Sequence, residues 1–156
     1  MDYLIEKCYL PPETRDLVRE DELARFFESD FYRTLRKAEK LYRETRFHIF
    51  LDAANFTQNE AFADSLASEK LAVQGVIDLF FYDAEGRLTL CDYKTDRLSA
   101  AERKNPALAA RMLAERHGTQ LSYYARALSE ICGKAPDRIL IYSLPLGEAV
   151  EISITP

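Results

Sequence analysis

Cysteine pairs, long apolar runs and targeting signals are all missing from this sequence. Its three cysteines, Cys8, Cys91 and Cys132, are widely separated and form no CxxC pair. A disulfide framework, a zinc site and an iron–sulfur cluster are therefore not expected, and Cys91 and Cys132 are predicted to be ordinary core residues. No apolar run approaches the roughly 20 residues that cross a bilayer, and the N-terminus has no signal-peptide pattern. We expect a cytoplasmic protein that does not contact the membrane.

Positive charge is also scarce, since 21 Lys and Arg residues face 26 Asp and Glu residues and the net charge is −5. An autonomous nucleic-acid binder is usually basic, so this acidity counts against tight unaided DNA binding. It counts less against a nuclease, because a nuclease concentrates carboxylates around a cation. The chain has no Walker motif, which excludes an ATP site of that kind within it.

The length of 156 residues suits one compact domain, and the 47% apolar and 30% charged fractions are those of a globular protein. We find no internal repeat, low-complexity tract or linker. The expected organisation is a single domain over residues 1–156, with a helical lead-in over 1–43 and a core over about 44–154.

Hydrophobic spacing predicts the order α-α-β-β-β-α-α-β-β, an α/β domain with a mixed central sheet. Ser29 or Asp30 is a plausible N-cap for the second helix, and Gly133 a plausible end of the last. The predicted helices cover 21–28, 30–43 (with Phe31, Leu35, Ala38 and Tyr42 on one face), 99–116 (interrupted at Asn105-Pro106) and 119–131. The predicted strands cover 46–51, 69–82, 87–94, 137–144 and 148–154.

Two acids and a lysine interrupt the second and third predicted strands. Asp78 lies in a nearly continuous apolar run, where a lone carboxylate is costly unless it is paired or binds a metal. Asp92 and Lys94 are two residues apart in the next strand and therefore project from the same face.

The turn between these strands decides whether the two acids meet. A three-residue loop over 84–86, with Gly86 left-handed, makes Asp83 face Arg87 and sets Asp78 opposite Asp92. Opposed Cβ atoms lie about 4.5–5.5 Å apart, which lets two carboxylates share one cation. A two-residue loop would shift the pairing by one and separate the acids.

This set of residues suits phosphodiester hydrolysis. Mg²⁺ held by carboxylates can neutralise phosphoryl charge and acidify a bound water, and a lysine can orient that water or stabilise the transition state. The alternative is that Asp92 and Lys94 are a strand-end ion pair and that Asp78 caps a turn.

The chain contains four segments in order: FFESDFYRTLRKAEKLYRETRF (26–47), GVIDLFF (75–81), DYKTD (92–96) and QLSYYARAL (120–128). Together they resemble the RecB-like branch of the PD-(D/E)XK nucleases, and within it the C-terminal nuclease domain of AddA-type helicase–nuclease proteins of bacterial double-strand-break repair. The resemblance covers roughly residues 20–152 and implies a restriction-endonuclease-like fold that cleaves DNA with Mg²⁺ or Mn²⁺.

The resemblance also implies roles for individual residues. Asp78 and Asp92 match the metal-binding acids, with the backbone carbonyl of Tyr93 on the same metal, and Lys94 matches the catalytic lysine. The remaining matches are the QxxxY pair Gln120 and Tyr124, near the active centre and the DNA, and Glu44, which matches the glutamate before the first core strand.

The residues themselves leave other interpretations open for these additions. Tyr124 could be plain core, Glu44 a surface ion pair, and Thr95 and Asp96 either a support for Lys94 or the start of a loop. His48 and His117 fit no ligand spacing and are interpreted as structural. Basic residues on two helical regions could be solvated or could face phosphate; they are Arg33, Arg36, Lys37, Lys40 and Arg43 in the first region, and Arg97, Arg103, Lys104, Arg111 and Arg116 in the second.

One departure from the family pattern is the absence of a metal-binding histidine on a helix before the first core strand. In AddA-like chains that helix lies further upstream, so we expect this chain to be the C-terminal part of a larger helicase–nuclease and to be weakly active or inactive alone. The implied partners are single-stranded DNA ends, the helicase portion of the same polypeptide and a second, AddB-like subunit. The alternatives are a catalytically silent docking or DNA-binding module and a free-standing resolvase or restriction-type enzyme.

Overall fold

A five-stranded mixed sheet with the order β1-β2-β3-β4-β5 forms the centre of the computed structural model, which describes residues 2–15, 19–57 and 59–153. The strands are β1 (Lys40–Asp52), β2 (Lys70–Tyr82), β3 (Leu88–Lys94), β4 (Arg138–Ser143) and β5 (Glu148–Glu151). β3 and β4 are parallel, and every other neighbouring pair is antiparallel. The predicted α/β class and mixed sheet are confirmed.

The parallel pair β3–β4 requires a long crossover, and two helices supply it. The helices are α1 (Asp2–Glu6), α2 (Glu20–Glu28), α3 (Asp30–Arg36), α4 (Glu60–Ser65), α5 (Ala100–Lys104) and α6 (Pro106–Cys132), with 3₁₀ turns at Pro12–Thr14 and Ala53–Phe56. α5 and α6 form the crossover. In the described part of the chain, no helix is both long and apolar enough to traverse a bilayer.

The core has two parts, one on each face of the sheet. On one face, α6 buries Leu113, Leu121 and Leu128 against a cluster that includes Ile77 and Leu90. On the other face, α3 packs against a second cluster, whose buried members are Phe31, Leu35, Leu79, Phe81, Cys91, Leu140 and Tyr142. Two layers of helices therefore cover a sheet whose middle strands, β2 to β4, are the most buried.

The second helix is shorter than predicted. Ser29 caps it as expected, because its hydroxyl accepts a hydrogen bond from the Tyr32 backbone N–H at 3.1 Å. However, α3 ends at Arg36, and 40–43 pair with 79–82 of β2 as the start of β1. Tyr42 is therefore not on a helix face and stacks on Phe80, with ring centroids 4.6 Å apart. Long-range strand pairing overrides the local helical spacing.

The two helices predicted over 99–116 and 119–131 divide at a different point. Asn105 caps α6, and Pro106 is its first residue. The helix is 27 residues long and passes through Gly118 without a break. Gly133 ends it in the left-handed conformation, with φ 71°, as predicted. The final strand stops at Glu151, and the predicted end at 154 lies outside the described residues.

Candidate active site

The β2–β3 hairpin has the three-residue loop that the acid pair requires. Gly86 is left-handed, with φ 74°, and the backbone N–H of Asp83 donates to the carbonyl of Arg87 at 3.2 Å. The ladder runs from Tyr82↔Leu88 to Leu79↔Cys91. One further step in this register sets Asp78 opposite Asp92.

The ladder between β2 and β3 stops at this step, and the Asp78 side chain takes its place. Oδ2 of Asp78 accepts a hydrogen bond from the backbone N–H of Tyr93 at 3.1 Å. The Asp78 carboxylate is therefore fixed at the end of the paired region, beside the backbone of the residue that follows Asp92.

Asp92 is the most deeply buried acid of the described chain, with 1% of its surface exposed. Its Oδ2 atom receives no hydrogen bond. Lys94 Nζ lies 2.6 Å from this oxygen, so the contact is an ion pair without hydrogen-bond geometry. Burial raises the pKa of Asp92, and the Lys94 ammonium opposes that rise. The negative charge of Asp78 also raises this pKa, so the site holds two carboxylates and one ammonium, and a further cation would be stabilised there.

Lys94 is held from the opposite side by α6. Its Nζ donates to Oε1 of Gln120 at 2.9 Å, and Nε2 of Gln120 donates to the Tyr124 hydroxyl at 2.7 Å. The spacing of four residues puts both side chains on the helix face that meets the sheet. Tyr124 also packs against the core, where its ring meets Phe47 edge-on at 5.7 Å. Both interpretations of Tyr124 are therefore compatible with this structure.

Comparison with known proteins identifies the family of this chain. The sequence profile of the PD-(D/E)XK nuclease superfamily matches residues 4–151. The chain belongs to this superfamily. The mixed sheet with flanking helices is consistent with the restriction-endonuclease-like fold of the superfamily.

The similar curated proteins are large bacterial proteins named as the AddA-type subunits of ATP-dependent helicase/nucleases. The chain is 29% identical to that of Clostridium novyi over 152 residues, which are 97% of this chain and 12% of the relative. It is 34% identical to that of Geobacillus kaustophilus over 149 residues, 96% of this chain and 12% of the relative. It is 34% identical to that of Bacillus licheniformis over 129 residues, which are 82% of this chain and 10% of the relative. The chain thus spans about a tenth of the length of these relatives, and the resemblance to AddA-type proteins is confirmed.

Glu44 lies inside β1 rather than before the first strand. The pairs Arg43↔Leu79 and Thr45↔Ile77 flank it, so its position in the register is opposite Asp78. Glu44 is exposed and left-handed, with φ 50°. Such a conformation is rare for a residue with a side chain, and it concentrates at functional sites of proteins. Glu44, Asp78 and Asp92 therefore occupy one row across three strands of this PD-(D/E)XK sheet.

The strand alternation breaks at the same row. Ile77 and Phe80 both belong to the core cluster under α6, although residues three apart in a regular strand face opposite sides. The left-handed Glu44 accompanies this change on β1. The sequence does not predict this break. Residues 76–81 are apolar apart from Asp78, so they show no alternation of apolar and polar residues that the break would interrupt.

The residues present fit the divalent metal that members of this superfamily generally use. Within the described residues, no group of three or more His, Cys, Asp and Glu side chains is arranged to hold a metal. The expected ligands are two carboxylates, of Asp78 and Asp92, and one backbone carbonyl, of Tyr93. The two neighbouring carboxylates face one ammonium, that of Lys94, so a cation would neutralise the remaining negative charge.

A charged network behind the lysine joins the loop after β3 to α6. Nε2 of His117 lies 3.0 Å from Oδ2 of Asp96. Arg116 lies 3.8 Å from Asp96 and 3.5 Å from Glu102. Glu102 also forms a capping box with Ser99, and the backbone N–H of Ser99 holds the pKa of Glu102 below its usual value. Asp96 thus anchors the loop that follows Lys94, and His117 is its partner on α6.

Sequence reasoning did not find this network, because Asp96 and His117 are separated by 21 residues with no shared pattern. The other histidine, His48, is exposed and contacts the ring of Phe50 edge-on at 4.9 Å. It lies on an exposed face of the paired strands β1 and β2. Of the two cysteines assigned to the core, Cys91 is fully buried and Cys132 is half-buried.

Proposed function

We propose that this chain hydrolyses DNA phosphodiesters with the help of a divalent cation, Mg²⁺ or Mn²⁺, bound by Asp78, Asp92 and the carbonyl of Tyr93. The observation that carries the proposal is the buried Asp92 carboxylate. It is 1% exposed, it has the Lys94 ammonium 2.6 Å from Oδ2 as its ion-pair partner, and it lies beside a second acid, Asp78. Two neighbouring acids with one lysine leave an excess of negative charge, which a bound cation would neutralise.

The protein residues have separate tasks in this proposal. A cation held by Asp78 and Asp92 would supply positive charge against the phosphoryl group and would make the attacking water more acidic. Lys94 is fixed from two sides, by Asp92 at 2.6 Å and by Gln120 at 2.9 Å. Its ammonium can therefore donate to the attacking water or to a phosphoryl oxygen without first being ordered. Tyr124 positions Gln120 and so acts on Lys94 indirectly.

We also propose that the chain works as the nuclease part of a larger helicase–nuclease. The support is that the named relatives are about ten times longer and that the match to them covers up to 97% of this chain. In such a protein the helicase portion and a second, AddB-like subunit would present single-stranded DNA ends to the site. The net charge of −5 agrees with this division of labour, because the nuclease part then need not hold DNA unaided.

The decisive experiment is cleavage of labelled single-stranded DNA in Mg²⁺ or Mn²⁺, by this chain and by a longer polypeptide that includes upstream residues. In the longer polypeptide, Asp92→Ala and Lys94→Ala should each lower the rate by at least about 100-fold. The matched controls are Asp137→Ala and Lys134→Ala, an exposed ion pair at 3.0 Å near the other end of β3, and they should cleave normally. For the 156-residue chain alone we expect weak or no cleavage.

The assignment is wrong if the Asp92 and Lys94 variants of the longer polypeptide cleave as fast as the controls. If the unaltered longer polypeptide does not cleave DNA in either metal, the result favours a silent docking module.

A further inference from the structure

A cleft of about 670 Å³ opens at the end of the parallel strands β3 and β4. Thr95, the residue after Lys94, lines it, and so does Leu144, the residue after the end of β4. The carboxyl ends of parallel strands are the usual place for a ligand in an open α/β sheet. The cleft is thus continuous with the chain segment that carries the lysine.

Three arginines line this cleft: Arg19 before α2, Arg97 in the loop after β3, and Arg103 on α5. One acid, Glu22, also lines it and lies 3.8 Å from Arg19. The lining therefore carries a formal excess of positive charge in a chain whose net charge is −5. Such a local concentration of guanidinium groups is suited to phosphate.

Some of the basic residues between Arg97 and Arg116 are held in ion pairs, and others are not. Arg116 is held by Asp96 and Glu102, and Arg111 lies 3.6 Å from Glu115 on the same helix. By contrast, the side chains of Arg97 and Arg103 are exposed, and their guanidinium groups make no hydrogen bond or ion pair with the described residues. Their charges are available to a ligand.

The positions of these two free arginines are nevertheless fixed. The loop of Arg97 is tied to α6 through Asp96 and is anchored by Leu98, which is 5% exposed. The helix of Arg103 begins with the capping box of Ser99 and Glu102. The two guanidinium groups therefore lie on a loop and a helix that are both held in place. This preorganises them for a charged ligand and lowers the entropic cost of binding.

We infer that this cleft binds the phosphate backbone of single-stranded DNA next to the cleaved bond, through Arg97 and Arg103. The inference rests on the proposed function and specifies where the substrate runs. A sequence-independent polyanion fits the site because its lining offers guanidinium groups and few other specific contacts. The free arginines hold phosphates, and the strand passes from them to Lys94, which is the last residue of β3 and precedes Arg97 by three positions.

The test is equilibrium binding of fluorescein-labelled dT20 to the 156-residue chain in EDTA, over about 50 to 200 mM salt. Each single-strand phosphate contact contributes about 0.7 to the slope of log affinity against log salt, so Arg97→Gln/Arg103→Gln should lower the slope by about 1.4. Over this fourfold range of salt, the variant should lose about sevenfold less affinity than the unaltered chain.

The matched control is Lys104→Gln/Arg111→Gln, which removes the same charge from neighbouring positions outside the cleft lining. Its slope should stay within error of the unaltered chain. A charge-retaining variant, Arg97→Lys/Arg103→Lys, should recover most of the slope, which separates a phosphate contact from a folding defect. Equal slopes for the cleft and control variants would overturn the inference, as would salt-independent binding, or no measurable binding at about 50 mM salt, by the unaltered chain.

The inference and the proposed function fail separately. Binding in EDTA needs neither the metal nor cleavage, so loss of the cleft effect leaves the Asp92 and Lys94 test untouched. Conversely, unchanged cleavage by the Asp92 and Lys94 variants would refute the active centre even if the cleft binds DNA.

Discussion

Removing Lys94 should destabilise the protein, and the loss should depend on Asp92. In the metal-free protein the Lys94 ammonium compensates a carboxylate that is 1% exposed, at an N–O distance of 2.6 Å. With an effective dielectric constant of about 20, the attraction at this distance is roughly 6 kcal/mol. Desolvation of both groups offsets part of it. We therefore expect Lys94→Met to cost about 3 kcal/mol, the low end for breaking a buried pair.

The loss should grow with pH. Burial already raises the pKa of folded Asp92 above its unfolded value, so the carboxylate destabilises the fold as pH rises through the folded pKa. Without Lys94 that pKa rises further, and protonated Asp92 needs no partner at low pH. The cost of Lys94→Met should therefore be smaller at an acidic pH, where Asp92 is protonated, than at a higher pH, where Asp92 is ionised.

Urea denaturation in EDTA at both pH values measures this effect. The double variant Asp92→Asn/Lys94→Met should recover most of the stability at the higher pH, because it buries no unpaired charge. Lys134→Met, which removes one member of an exposed pair, should lose far less than Lys94→Met. Equal stability of Lys94→Met and the unaltered chain at the higher pH would refute the reasoning, and so would a double variant no more stable than the single one.

Three further predictions concern the surroundings of the site. Gln120→Ala removes the acceptor 2.9 Å from Lys94 and should slow DNA cleavage by the longer polypeptide about 10- to 100-fold without changing its melting temperature; an unchanged rate would contradict the positioning role. Glu44→Gly should raise the free energy of unfolding by up to about 1 kcal/mol, because glycine tolerates φ 50°, whereas Glu44→Ala should give no such gain in the same urea titration. Gly75→Ala should cost about 1–3 kcal/mol by thermal denaturation, because the new Cβ would lie 2.8 Å from the Phe47 ring; a neutral result would show that this ring can move freely.

Much of the hairpin could be predicted from sequence because its information is local. The loop over 84–86 ends in Gly86, and a left-handed glycine there fixes the register that brings Asp78 opposite Asp92. The same local logic identified the Ser29 cap and the Gly133 terminus. Each depends on residues within one turn of the chain.

The sequence-based predictions fail where contacts between residues far apart in the sequence determine the structure. α3 ends at Arg36 because the segment over 40–43 finds a strand partner about 40 residues away. Asp96 meets His117 only after α6 packs across the sheet, and no spacing in the sequence records that contact. The cleft of Arg97 and Arg103 likewise exists only because α2, the loop after β3 and the end of β4 converge.

Calorimetric titration of Mn²⁺ into the EDTA-stripped and dialysed chain measures whether Asp78 and Asp92 together form a cation site. We predict a single saturable site that is lost in both Asp78→Asn and Asp92→Asn, and kept in Asp137→Asn, whose acid hydrogen-bonds the backbone at the other end of β3. Binding that survives in either of the first two variants, or no saturable binding at millimolar Mn²⁺, would contradict the proposed cation site.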